Sequence, residues 1–171
     1  GWIRYIHYGG QFSLEIPSSW FDMDIEGGAL EEMLDKAIHE NPELRKQFSS
    51  PGFKSMLQKY VKFYAFDVTP LSAGESNPAV VYVIKMNMED RVTVSELATS
   101  IYFEHSQEAD PSQRVVKQPF NLASSKGMEV RSVQLYKNPD GTKNAILFDQ
   151  FALVDGKAVY ILSCQVSNNF A

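Results

Sequence analysis

The chain has 171 residues, of which 44% are hydrophobic and 22% charged, and that balance excludes disorder as its general state. At this length one domain with a buried core is expected. The 16 basic against 21 acidic side chains leave a net charge of -5 without the basic stripe a nucleic-acid footprint needs, and no apolar run reaches the ~18 residues of a membrane helix.

The chain begins Gly1-Trp2-Ile3 and is read as a trimmed or processed form, which leaves a removed signal peptide or lipid anchor open. Residues 3–8 alternate loosely and predict a first strand, broken by Gly9-Gly10. Phe12-Ser13-Leu14-Glu15-Ile16 alternates cleanly, with Phe12, Leu14 and Ile16 on one face of a half-buried strand. Pro17 cannot donate to a ladder and ends it. Trp20-Phe21 returns to apolar character and is expected to pack onto the same core. Gly27-Gly28 precedes a predicted helix over 29–40, where Leu30, Met33, Leu34, Ala37 and Ile38 form one stripe. Asn41-Pro42 and Ser50-Pro51 read as two more helix starts, a cap followed by a first-position proline. Leu44 and Phe48 would face the core from one, and Phe53, Met56, Leu57 and Tyr60 from the other. A helical segment thus covers 29–60.

Residues 62–68 predict a strand, 70–78 a surface loop, and 79–88 a central strand. Thr93-Val94-Ser95-Glu96 is a capping box, with Val92 and Leu97 placed as a hydrophobic staple. Val94, Leu97, Ala98, Ile101, Tyr102 and His105 recur at helical spacing and predict a helix over 94–109, stopped by Asp110-Pro111. The last third reads as a β-meander with strands over 114–122, 128–137, 143–154 and 158–166. In the second of these, Met128, Val130, Ser132 and Gln134 alternate against Glu129, Arg131, Val133 and Leu135. Asn138-Pro139-Asp140-Gly141 and Asp155-Gly156 are tight turns. Strands joined so closely must be antiparallel, because parallel neighbours need a long crossover.

Phe12-Ser13-Leu14-Glu15-Ile16-Pro17-Ser18-Ser19-Trp20, the Asp155-Gly156-Lys157-Ala158-Val159-Tyr160-Ile161-Leu162 hairpin and the helix opening at Thr93 together resemble the PsbP-like family. The resemblance covers most of the chain as an order of elements. It implies an α+β fold, an antiparallel β-sheet flanked by helices (the PsbP-like α/β/α sandwich), as a single domain over 1–171. It also implies mostly non-enzymatic accessory roles. Photosystem extrinsic subunits, DcrB-like lipoproteins, secretion-effector chaperones and Mog-type Ran-release factors share the fold without sharing a function. Two departures stand out. The helical segment is longer than expected of the plant protein. The chain also stops at Phe170-Ala171, where the family adds a helix and a short strand. The C-terminal helix of the family is therefore expected to be missing and a sheet face to lie uncovered, to be completed by residues beyond Ala171 or by a neighbouring chain.

The residues offer little catalytic chemistry. Asp22-Met23-Asp24-Ile25-Glu26-Gly27 has the alternating carboxylates and glycine of a calcium loop, but its twelfth position, where a bidentate Glu belongs, is Met33. A solvated strand edge, charged against sheet-to-sheet pairing, is the better reading. His7, His39 and His105 are not spaced as a metal pair, and His105 reads as a satisfied histidine on an apolar stripe. Cys164 stands alone, so no internal disulfide forms, and it reads as a structural thiol. Ser18-Ser19 lacks a nucleophile-elbow context, and neither Gly-Gly pair is followed by the Lys-Ser/Thr of a phosphate loop. Phe63, Tyr64, Phe66, Phe148 and Phe151 are assigned to core packing over a ligand groove. Lys54, Lys59 and Lys62 read as a solvated face, with anionic lipid or cell-wall polymer as the alternative.

No catalytic, cofactor-binding or metal-ligating residue is named on this reading, and no cofactor is expected. The expected function is a non-catalytic binding or accessory domain, extracytoplasmic by resemblance, whose sheet edge or helical segment meets a protein or a lipid/cell-envelope partner. Two alternatives stay open. One is a chaperone-like module for hydrophobic protein segments. The other is an enzyme whose dispersed site joins His105 or His7 to a carboxylate. The oligomeric state is not indicated.

Overall fold

The computed structural model describes residues 1–23, 25–26, 28–75, 77–122, 125–137 and 141–167. The elements run β1 (Trp2–His7), β2 (Phe12–Pro17), β3 (Phe21–Met23), α1 (Leu30–Glu40), a 3-10 turn (Pro42–Leu44), α2 (Arg45–Phe48), α3 (Pro51–Tyr60), β4 (Val61–Asp67), α4 (Thr69–Ser72), β5 (Ala79–Asn87), α5 (Val94–Glu108), β6 (Val116–Leu122), β7 (Ser125–Lys137), β8 (Lys143–Asp155) and β9 (Ala158–Ser167). The registered strand pairs are antiparallel, and the class is α+β, as the sequence predicts. No described helix is long and apolar enough to cross a membrane. The chain divides into two compact units, Gly1–Lys85 and Met86–Ala171.

In the first unit β4 is buried along almost its whole length, which explains its near-continuous apolar sequence. One face carries Tyr64 and Phe66, packed with Val80 and Tyr82 of β5 and with Leu30, Leu34, Leu44, Phe48 and Leu57 of the helical segment. Phe48 stacks on Phe53 at 5.1 Å and meets Phe66 edge-on at 5.2 Å. The other face carries Phe63, whose ring lies 4.6 Å from that of Tyr5 in the β1–β2 hairpin. The stripe read for the first helix holds, since Leu30, Leu34 and Ala37 are buried. Phe21 sits on Phe66 at the margin of this core and stays 41% exposed.

Four local expectations are corrected in this unit. Asn41 and Ser50 make no side-chain cap bond, and Pro42 and Pro51 at the first helical positions carry those starts. Instead Asn41 Nδ2 donates back to Ala37 O at 3.4 Å and closes α1. Tyr60 is not in the core. Val61 is already extended and takes the buried place, while Tyr60 faces out beneath the Lys59 ammonium, 5.0 Å from its ring. The loop predicted over 70–78 opens as α4, because Asp67 Oδ1 accepts from the Thr69 N–H at 3.1 Å and its hydroxyl at 2.8 Å.

In the second unit the meander runs in the order β9-β8-β7-β6. Gly156, at φ 60°, opens the two-residue turn between the paired Asp155 and Ala158. Asn138, Pro139 and Asp140 of the other predicted turn lie outside the described residues. The capping box forms: Thr93 Oγ1 accepts from the Glu96 N–H at 3.2 Å, and Glu96 Oε2 accepts from the Thr93 N–H at 2.8 Å. Held so, α5 lies across β7 and β8 and buries Ala98, Ile101 and His105. Gly127 lets strands and an aromatic ring close together, since a Cβ there would stand 2.8 Å from Ala152 O and overlap the Phe120 ring. β6 is the outer strand of this unit and carries Pro119 in its middle.

Candidate functional site

Three places gather the titratable groups, and the first is the β1–β2 hairpin. His7 Nδ1 accepts from the Gly10 N–H at 2.6 Å, so the ring proton sits on Nε2, which stands 3.3 Å from Glu26 Oε2. Glu26 Oε1 accepts from Lys62 Nζ at 3.0 Å. The Lys62 hydrogen bond holds the Glu26 carboxyl below its usual range; partial burial opposes it, and the Lys62 charge and the His7 contact add to it. A shallow cavity of about 410 Å³ lies beside His7, lined also by Arg4 and Tyr8. The histidine–carboxylate contact expected of a dispersed enzyme site is therefore present. Its imidazole has no nitrogen left for a substrate, because the would-be base accepts a backbone proton.

The acidic stretch between these partners is a strand edge at its start. Asp22 pairs with Ala65 in the β3–β4 ladder, and Met33 packs against the core. Asp24 and Gly27 of the calcium-loop reading lie outside the described residues. Among the described residues no three His, Cys, Asp or Glu side chains group as metal ligands.

The second place lies beneath α5. His105, 1% exposed, accepts at Nδ1 from Ser132 Oγ (2.8 Å) and donates from Nε2 to Gln150 Oε1 (2.9 Å). Gln150 Nε2 donates in turn to Ser163 Oγ at 2.8 Å. The chain Ser132–His105–Gln150–Ser163 satisfies four buried polar side chains across three strands and a helix. Phe148 stacks on the His105 ring at 4.7 Å. Burial lowers the His105 pKa; the Gln150 bond and the Glu104 and Glu108 charges pull the other way. A cavity of about 230 Å³ reaches His105 past Glu104 and Glu108, yet both ring nitrogens are engaged inward. The satisfied histidine read from the sequence is what the structure shows. Its partners Ser132, Gln150 and Ser163 were not identifiable there, since nothing in the pattern marks them as buried.

The third place is the meander face turned away from α5. Registers set Arg131 beside Asp149, Asp149 beside Cys164, Val133 beside Leu147 and Phe151 beside Leu162. These side chains are half-buried. Glu129 is buried and accepts from Gln118 Nε2 at 2.7 Å, with Arg131 Nη1 3.6 Å from its other oxygen. Burial first, then the Glu129 charge, pushes the Asp149 carboxyl up to about 6, against the pull of Arg131. Burial, then the Asp149 charge, pushes the Cys164 thiol up to about 11, which leaves it protonated and inert at neutral pH.

The basic run is not a free patch. Lys54 pairs with Glu31 and Lys62 with Glu26, and Lys59 lies over Tyr60.

No family model matches the chain, and no curated protein matches it. A solved structure does. The solution structure of cyanobacterial PsbP (CyanoP) from Synechocystis sp. PCC 6803 is similar, with a TM-score of 0.53 and 12% identity over 98% of this chain and 81% of that one. This chain has a PsbP-like fold. At that identity the likeness extends to the fold alone. The resemblance read from Phe12 to Trp20 and from the last hairpin is borne out at that level.

Proposed function

We propose that the chain is a non-catalytic binding or accessory domain, a single PsbP-like domain over 1–171. In this reading it acts outside the cytoplasm, as the soluble part of a secreted or lipid-anchored protein, and recognises a protein or cell-envelope partner through its surface. The observation that carries the proposal is the meander face turned away from α5, where Val133, Leu147, Phe151 and Leu162 are left half-buried in register. The engagement of both His7 nitrogens and both His105 nitrogens supports the non-catalytic part. The accessory roles implied by the family resemblance agree with it.

A hydrophobic fluorescent dye tests the surface. The folded chain is expected to bind it, and Leu147→Glu to reduce that binding without unfolding. A broad hydrolase-substrate screen tests the chemistry. Turnover abolished by His7→Ala, Glu26→Gln or Glu129→Gln alone would overturn the reading. The same apolar face favours a second reading, a chaperone-like module for hydrophobic segments. Suppression of the aggregation of a reduced, unfolding client protein, followed by light scattering and lost in Leu147→Glu, would separate it from the first.

A further inference from the structure

Asp149 Oδ1 is closed off from solvent and has no hydrogen-bond partner among the described residues. Glu129 stands two residues from Arg131 on β7, diagonally across the ladder from Asp149 on the same face, where its longer side chain reaches the same carboxyl group. Two ionised carboxylates cannot share a hydrogen bond, because both only accept. One proton between them resolves the contact, the acid O–H of one donating to the carboxylate of the other.

We propose that Glu129 and Asp149 form a carboxyl–carboxylate pair that holds one proton and makes this sheet face a pH-sensitive element. The surrounding groups fit. On β7, Arg131 stands beside Asp149 in register and 3.6 Å from Glu129. On β9, Cys164 stands beside Asp149 and stays neutral. On β6, the uncharged Gln118 amide donates to Glu129. On β8 itself, the same-face neighbours Leu147 and Phe151 carry no charge. With the proton in place, one carboxylate and the Arg131 guanidinium balance, and the face is neutral. When the pair releases the proton to bulk water, the face gains one negative charge and two neighbouring carboxylates repel.

The sign follows from the direction of the shift. Asp149 is raised in the folded chain from 3.8 to about 6, so the native state holds this proton more tightly than the unfolded chain does. Its contribution to stability is complete below pH 3.8 and is lost as pH rises through 6. Allowing for half-exposure, the folding equilibrium constant is expected to fall roughly tenfold over that rise.

The test is a carbon-detected NMR titration of the Asp149 carboxyl between pH 3 and 8, on the whole chain. The expected midpoint is near 6, moved down toward ordinary aspartate by Glu129→Gln and up by Arg131→Met. Arg131→Met is an independent arm should Glu129→Gln fail to fold. Denaturant unfolding is the second readout, where Asp149→Asn is expected to remove the tenfold loss on raising the pH. An Asp149 midpoint near 4, or one that neither variant moves, overturns the proposal.

Discussion

His105 Nε2 stands 2.9 Å from Gln150 Oε1, joining α5 to β8 of the meander across 45 residues of sequence. The bond is buried, and each partner holds a further serine. Removing the imidazole by His105→Leu leaves the Ser132 hydroxyl and Gln150 Oε1 without their ring partner inside the core. The expected cost is about 3 kcal/mol, measured by urea unfolding at pH 7.5. Replacing Ser132 with Ala alone is expected to cost less, about 1 kcal/mol, because it removes one bond and strands one ring nitrogen.

The same histidine gives a pH dependence of opposite sign to that of Asp149. Its folded pKa is depressed below 6.5, chiefly by burial, so its contribution is complete above 6.5 and is lost as pH falls through the lowered value. Stability of an Asp149→Asn chain is therefore expected to decline on acidification below pH 6.5, and that decline to be absent from the Asp149→Asn, His105→Leu double variant.

Thr93→Ala removes the hydroxyl that receives the Glu96 N–H and is expected to lower stability by about 1 kcal/mol. The Glu96 carboxyl, held low mainly by the Thr93 backbone bond and then by its hydroxyl, should titrate higher in the variant. Side-chain NMR would detect the shift, and an unmoved Glu96 would show that the box contributes nothing in solution.

Gly127→Ala places a methyl 2.8 Å from a backbone oxygen that cannot step aside. A loss of about 1 to 3 kcal/mol is expected from this overpacking. Thermal unfolding should show it, accompanied by a changed environment for the Phe120 and Phe151 rings, which meet edge-on at 5.3 Å.

The Glu26–Lys62 pair is largely exposed and should matter little. Glu26→Gln is expected to change stability by less than about 1 kcal/mol, with the difference shrinking further in high salt. A double-mutant cycle with Lys62→Met would measure the coupling.

Cys164 is expected to react with a thiol reagent at pH 7.5 more than roughly tenfold slower than a free cysteine. Because Asp149 helps raise its pKa, Asp149→Asn should quicken the reaction.

The fold was legible where period and punctuation agree. Phe12 to Ile16 alternates and stops at proline, Thr93 and Glu96 bracket a helix start, and Asp155-Gly156 leaves room only for an antiparallel return. The helix ends were harder to read. Asn41 and Ser50 are good caps by residue type, yet proline does the work there and their side chains bond elsewhere or not at all. The candidate sites were mostly illegible. Ser132 and Gln134 alternate with Val133 and Leu135 as a solvent-facing pair would, and only the placement of α5 makes them interior. Asp149 lies diagonally across from Glu129 through the β7–β8 register, which a slip of one residue would turn to the opposite face. Lys62 and Glu26 lie 36 residues apart, and no local pattern connects them.

Pro119 has no amide hydrogen to offer along the outer margin of β6. A second molecule laying a strand against that margin would find one rung of the ladder missing. Sheet-to-sheet growth is thereby discouraged at the border, and the chain can keep a long meander without seeding fibrils from it.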